Sequence, residues 1–190
     1  MRPHVSKKAP QRSYFRHGLA IWTNYEKPRI DLTAKKRIII NCRVNQQSME
    51  WRRSGEDIFV RLDPGDEIHE SLQKLANEAQ FNAAAITSGI GRTRDNLYGY
   101  MDDDGIYQRR KLEPPSELVS LSGNIARKED GSAFTHIHCC WSDNDLKPHA
   151  GHMFECTVAV VAEIHLRVMS EILMTRCPLP GVQLLGLQFS

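Results

Sequence analysis

The stretch HIHCCWSDNDLKPHAGHMFE, residues 136 to 155, holds four of the chain's eight histidines. Imidazole is the commonest protein ligand for divalent metals, so the spacing within this stretch carries chemistry. His136 and His138 are two apart, and side chains two apart on a β-strand project from one face, about 7 Å apart at Cβ. Two imidazoles close that gap around one ion. His152 follows after thirteen intervening residues, enough for a loop and a returning strand, and is the expected third ligand. Three neutral imidazoles leave a tetrahedral zinc one open position, as in catalytic rather than closed structural sites. Imidazole also suits copper, nickel and iron, so zinc is the preferred expectation and not a deduction.

Other residues bear on that centre. His149, which follows Pro148, is either a loop residue or a partner that orients a ligand. Cys140 shares strand parity with His136 and His138 and reads as an outside fourth ligand or as a buried thiol. Glu163 and His165 fall on the polar face of a later strand, where they orient a ligand, activate a bound water or simply face solvent. Glu117 and Arg92 complete the candidates for proton acceptor and charge. Ser88-Gly89-Ile90-Gly91-Arg92 reads in two ways. As an anion cradle, Gly89 and Gly91 bare backbone donors and Arg92 or Arg94 adds charge; as a turn ending a strand, the glycines supply positive φ. Arg109-Arg110-Lys111 either touches phosphate or forms a solvated sheet edge.

The elements that must carry these residues follow from periodicity. DIFVRL (57 to 62) alternates as a strand and Asp63-Pro64-Gly65 ends it. Ile68, Leu72, Leu75, Ala76 and Ala79 recur at three and four residues, which predicts an amphipathic helix. AAAITSG (83 to 89) reads as a short buried strand. LYGYM and IYQRRKL flank Asp102-Asp103-Asp104-Gly105 as a hairpin. SELVSLSGNIA (116 to 126) turns at Glu129-Asp130-Gly131 into SAFTHIHCCW (132 to 141). CTVAVVAEIHLRV (156 to 168) is the longest β-type run, with Val158, Val160, Ala162, Ile164 and Leu166 expected on one face. GVQLLGLQF supplies a last strand. One helix among hairpin-linked strands gives an α+β domain with a largely antiparallel sheet and one main helix packed on it.

RLDPGDEIHESLQKLANEAQ, SGIG, ELVSLSGNIA, HIH, AGH and AEIHL occur in the order seen in PPC domains, and over residues 57 to 190 the chain resembles that plants-and-prokaryotes conserved family. The resemblance implies a compact α+β fold that assembles as a homotrimer. It also implies a metal held through the HxH and GGH elements, here His136, His138 and His152, and DNA-binding or regulatory roles. Two departures stand out. The GGH element appears as Ala150-Gly151-His152, a change expected to restrict the turn, and no AT-hook core of Arg-Gly-Arg-Pro type is present.

Charge separates the chain into two parts. Its 190 residues carry a formal +2 overall, yet residues 1–48 hold eleven Lys and Arg against two acids. From Met49 onward acids outnumber bases by twenty-one to fourteen. Since DNA affinity rests on neutralising phosphates with Lys and Arg, the domain 49–190 alone is a poor DNA wrapper, and contact with DNA would fall to the basic extension 1–48. That extension is expected to be flexible; only RIIINCRV (37 to 44) stands out, as a short strand or an isolated apolar patch. The five cysteines are odd in number and lack CxxC spacing, which fits a reduced cytoplasmic protein. The Arg-rich start leaves organelle targeting as the alternative location, and no run of apolar residues predicts a membrane span. Three function classes remain: a trimeric metal-binding protein of DNA-binding or regulatory type, a metal-dependent hydrolase or lyase, and a scaffold that a metal stiffens.

Overall fold

The structure, a computed structural model, describes residues 49–179 and 182–189. The expected flexible extension 1–48, its short strand at 37–44 and any targeting signal lie outside the described residues. One helix and nine strands follow in the order β1 (Glu50–Ser54), β2 (Asp57–Leu62), α1 (Ile68–Glu78), β3 (Ala84–Met101), β4 (Tyr107–Leu112), β5 (Ser116–Arg127), β6 (Ala133–Ser142), β7 (Pro148–Val168), β8 (Ile172–Leu179) and β9 (Val182–Phe189). Among the described residues every strand pair is antiparallel except β5 with β8, which meet in parallel at Arg127 and Thr175. The pairings β3–β5, β5–β6, β6–β7 and β7–β3 close on themselves, so the strands bearing the histidines belong to a ring with no free edge there.

The helix forms where its period predicts. Ile68, Leu72, Leu75 and Ala76 fall on one stripe and are fully buried, each of the larger three contributing about 1.5–3 kcal/mol of apolar burial. Glu67 caps the first turn, its carboxylate accepting from Glu70 N at 2.8 Å. Its other oxygen accepts from Cys156 N at 3.2 Å, which ties the start of the helix to β7. At the other end Ala79 N donates to Leu75 O, and Gln80 at φ 54 turns the chain out of the helix.

Hairpin chemistry fixes the β3–β4 connection. The Asp102 carboxylate accepts from Asp104 N and Ile106 N, and Gly105 takes φ +76, a conformation costly for residues with a Cβ.

Several expectations are corrected. The strand beginning at residue 84 does not end at Ser-Gly-Ile-Gly; it runs on for 18 residues to Met101. Neither Gly89 nor Gly91 has positive φ. Gly91 is needed for close approach, because a Cβ there would sit 2.2 Å from the Val161 carbonyl oxygen. The longest strand starts at Pro148 rather than Cys156, so Ala150-Gly151-His152 is extended strand and the alanine restricts no turn. Val160 does not join the buried face of β7. The β3–β7 register slips between Arg92 and Thr93, and this bulge leaves Val160 57% exposed while Val158 and Ala162 are fully buried. Strands β1 and β8 were not expected.

Candidate metal centre

Parity along β6 sets up the site. Ala133, Thr135, Ile137, Cys139 and Trp141 are buried, which turns Phe134, His136, His138 and Cys140 to the opposite face. Trp141 locks that parity. It is fully buried and its Nε1 donates to Thr93 Oγ1 at 3.0 Å, so a one-residue slip would expose the largest side chain of the core. The loop after β6 then returns β7 with His152 directly opposite His138.

The three rings meet, with centroids 5.1, 5.0 and 5.3 Å apart. One ligating nitrogen from each lies within 4.8 Å of the other two. His136 Nε2 and His138 Nε2 stand 3.3 Å apart, and two nitrogens each bound to a tetrahedral zinc at about 2.0–2.1 Å are separated by roughly that distance. Among the described residues His152 Nδ1 is buried with no hydrogen-bond partner. A buried nitrogen of this kind beside two other imidazoles is a polar group that a metal ion would satisfy, and the donor set fits one.

Electrostatics keep the His136 and His152 rings neutral. Burial first, then the neighbouring His136 and His138, pushes His152 down to about 4. His136 is lowered mainly by burial and next by the Arg176 charge. Neutral imidazole is the species that binds metal, so little proton competition remains near pH 7. The nearby thiols do not compete: burial raises both Cys139 and Cys156, the latter to about 12.

His69 on α1 braces the two histidine-bearing strands from behind. Its Nε2–H donates to Met153 O at 3.2 Å, which leaves Nδ1 to accept from the Thr135 hydroxyl at 2.7 Å. Gln73 donates in turn to Thr135 Oγ1. Thr135 precedes His136 and Met153 follows His152, so one ring holds both strands next to their triad histidines. Burial lowers the His69 pKa and keeps the ring neutral.

A pH dependence follows for metal-free protein. His69, His136 and His152 have folded pKa values below the ordinary 6.5. Below 6.5 the unfolded chain therefore binds more protons, and stability falls as pH drops from 6.5 toward about 4. The lowered carboxylates Asp57, Asp102, Asp130 and Asp143 act only below their ordinary 3.8, outside that window. Urea midpoints measured from pH 7 to 4 are expected to fall steadily; a flat or rising profile contradicts this account.

Other sequence candidates lie elsewhere. His149 donates from Nε2 to Asp143 Oδ2 at 2.8 Å and accepts from the Tyr98 hydroxyl at 3.2 Å, so it pins the β6–β7 loop rather than orienting a ligand. Cys140 is half-buried and stands outside the three-nitrogen group. Glu163 and His165 are eleven and thirteen residues from His152 along the same strand, a path of roughly 36 Å at 3.3 Å per residue for the nearer of them, and neither joins the imidazole group. His165 instead bonds Thr87 Oγ1 at 2.5 Å and lies 3.3 Å from Asp57 Oδ1. Arg92 pairs with Glu117 at 2.7 Å on the surface and Arg94 bonds Asp95, so neither arginine is turned toward an anion. Gly91 is laddered on both sides, to Leu118 and to Ala162, and Gly89 faces Ile164; the backbone cradle is not formed. Arg109, Arg110 and Lys111 are exposed on β4, beyond β3.

Two contributors carried no signal in the sequence. His69 sits in a helix whose period its apolar neighbours explain, and Arg176 is a single arginine within an unpredicted strand.

The family profile of the Plants and Prokaryotes Conserved (PCC) domain matches residues 49–170. The chain belongs to this family. Among solved PCC-like structures, a metal-containing protein from Archaeoglobus fulgidus is 28% identical with a TM-score of 0.61, covering 74% of this chain and 99% of that one. A "putative DNA-binding protein" from Bacteroides thetaiotaomicron VPI-5482 shares the fold, at 20% identity and a TM-score of 0.66, with 75% and 98% of the two chains covered. The bifunctional protein GlmU of Synechococcus sp. (strain JA-2-3B'a(2-13)) is 27% identical over 129 residues, 67% of this chain. That stretch spans only 19% of GlmU's length. No helix among the described residues of this PCC protein is long and apolar enough to cross a membrane.

Proposed function

We propose that this protein is a divalent-metal-binding regulatory protein of DNA-binding type, cytoplasmic and homotrimeric, with zinc held by His136, His138 and His152. The observation that carries the reading is the convergence of three imidazole nitrogens within 4.8 Å, one of them buried and unpartnered. The metal-containing relative at 28% identity supports it, and the neighbour named for DNA binding supports the DNA association. Large apolar side chains left exposed on β2, β3, β5 and β7, namely Phe59, Ile90, Val119 and Val160, support self-association through the sheet.

DNA contact in this reading belongs to the basic residues before Met49, because the domain that follows is net acidic. In the full chain, replacing Lys35, Lys36 and Arg37 with Gln is expected to reduce the slope of log K against log salt by roughly 2–3. Binding measured by fluorescence anisotropy from 50 to 300 mM salt checks it, and an unchanged slope removes these residues from the DNA contact.

A metal-dependent hydrolase or lyase is the second reading, favoured by a cavity of about 440 Å³ that opens on His136 and His152. When bound, the ion would supply Lewis acidity and an acidified water. No carboxylate joins the imidazole group among the described residues, so a base for hydrolysis would have to come from another residue type within one chain. Chelator-sensitive turnover would favour this reading; its absence together with absent DNA binding would leave the metal-stiffened scaffold.

A further inference from the structure

The cavity beside the triad owes one wall to the hairpin β8–β9, which lies beyond the stretch matched by the family profile. His136 and His152 line one side; Arg176, Leu179, Val182 and Leu184 line the other. Its volume of about 440 Å³ falls within the range of about 300–1,000 Å³ usual for small-molecule sites.

Arg176 is the unusual group. It is only 3% exposed, yet among the described residues it has no carboxylate partner. One terminal nitrogen donates to Gln183 O at 3.1 Å and the other to Asn124 Oδ1. Nε is buried without a partner. A guanidinium has five N–H donors, so most of this charge's hydrogen-bonding capacity is unused. The Arg176 charge also lies 5.0 Å over the Phe134 ring, but no anion neutralises it among the described residues, and a buried cation without an anionic partner favours accepting one. Asn124 is the ladder partner of His136, so Arg176 is anchored one strand from a triad ligand. A second cation stands nearby: Arg109 lies 4.1 Å over the Phe154 ring, and that ring packs against His152.

An ion on three neutral imidazoles would add two more positive charges with no acid beside them. The field therefore selects an anion, and a guanidinium fork suits the planar geometry of a carboxylate. Leu179 and Leu184, 52% and 51% exposed, leave apolar surface next to that charge. A fully charged phosphate has no use for such a wall, whereas a short hydrocarbon chain does.

We infer that the cavity between the imidazole triad and the β8–β9 hairpin binds a small organic carboxylate, its head group between the triad's ion and Arg176 and its apolar body along Leu179, Val182 and Leu184. The inference rests on the metal-binding reading above.

Full-length protein loaded with Co²⁺ tests both, because the d–d absorption of the ion reports its ligands. The probes are hexanoate, its neutral isostere hexanamide, and inorganic phosphate. Hexanoate is expected to change the spectrum saturably at one equivalent, with hexanamide and phosphate weaker by about tenfold or more. Arg176→Gln should keep one equivalent of Co²⁺ and lose about tenfold in hexanoate affinity. Leu184→Asp, at an exposed position, sets a negative charge on the wall and should weaken hexanoate similarly, so the test survives if the buried Arg176 variant does not fold. Loaded protein whose spectrum hexanoate leaves unchanged overturns the inference, as does equal binding of hexanamide or phosphate, or wild-type hexanoate affinity in Leu184→Asp. Wild-type protein that takes up no Co²⁺ overturns the metal reading itself, and the inference with it.

Discussion

His152→Ala is expected to abolish stoichiometric metal uptake while leaving the chain folded. The ring lies on the outward face, half-buried, and its Nδ1 has no partner to strand. Truncation therefore leaves no new unsatisfied group behind it, and the metal-free variant should be about as stable as wild type. Metal binding is another matter. His136 and His138 remain, but both come from β6, and the ligand that closes the site from β7 is gone. Losing a mere outer partner of a metal ligand costs about 10–100-fold in affinity, so losing the ligand should cost at least about 100-fold. Metal analysis after dialysis and a Co²⁺ titration measure this directly. Thermal melts add an independent readout: a metal that binds only the folded state stabilises by about 4 kcal/mol at a thousand times its Kd. Wild type should show that rise and the variant should not. A variant that keeps one equivalent of metal would mean the ion sits elsewhere.

The convergence of the three histidines was legible because their geometry is local. A strand's period of two places His136 beside His138 whatever the rest of the fold does, and a tight loop returns His152 against them. The helix was equally legible, since Ile68, Leu72, Leu75 and Ala76 mark its buried stripe. Legibility failed where a residue answers to a distant backbone. Gly89 and Gly91 look like turn glycines, and the reason for Gly91 is a carbonyl seventy residues away. Val160 has the parity of a core residue, but a register slip against β3 overrides alternation. Strand β8 escaped notice because ILMTRCPL carries an arginine and a proline inside it. That arginine is accommodated by Asn124, 52 positions earlier, which no window of sequence connects to it. Glu163 and His165 were attractive because they share the triad's strand; strand rise, not residue type, separates them from it.

The same long-range logic makes Gly123→Ala the most damaging small substitution near the site. Gly123 on β5 pairs with Ile137 on β6. A Cβ at this position would lie 2.0 Å from the His136 carbonyl oxygen and 3.0 Å from both the His136 carbonyl carbon and the Ile137 Cα. All three are backbone atoms, so no side chain can swing aside. The φ angle at Gly123 is not positive, so alanine meets no conformational objection and the whole penalty is steric. To restore contact distance the two strands must part by roughly 1 Å or more. They have little freedom to do so, because β6 is laddered to β7 on its other edge and β5 to β3, within a closed ring. Overpacking commonly costs about 1–3 kcal/mol, and a clash confined to backbone should reach about 3 kcal/mol or more. That is a large part of the usual stability of about 5–15 kcal/mol. The displaced oxygen belongs to a triad histidine, so the loss also reaches the centre: whatever fraction folds should bind Co²⁺ more weakly, because His136 shifts relative to His138 and His152. Urea denaturation of metal-free protein measures the first effect and Co²⁺ titration the second, with Ser122→Ala, one position earlier on an exposed side chain, as the control expected to change neither. Wild-type stability together with wild-type Co²⁺ affinity in Gly123→Ala would mean that β5 and β6 do not approach this closely in solution.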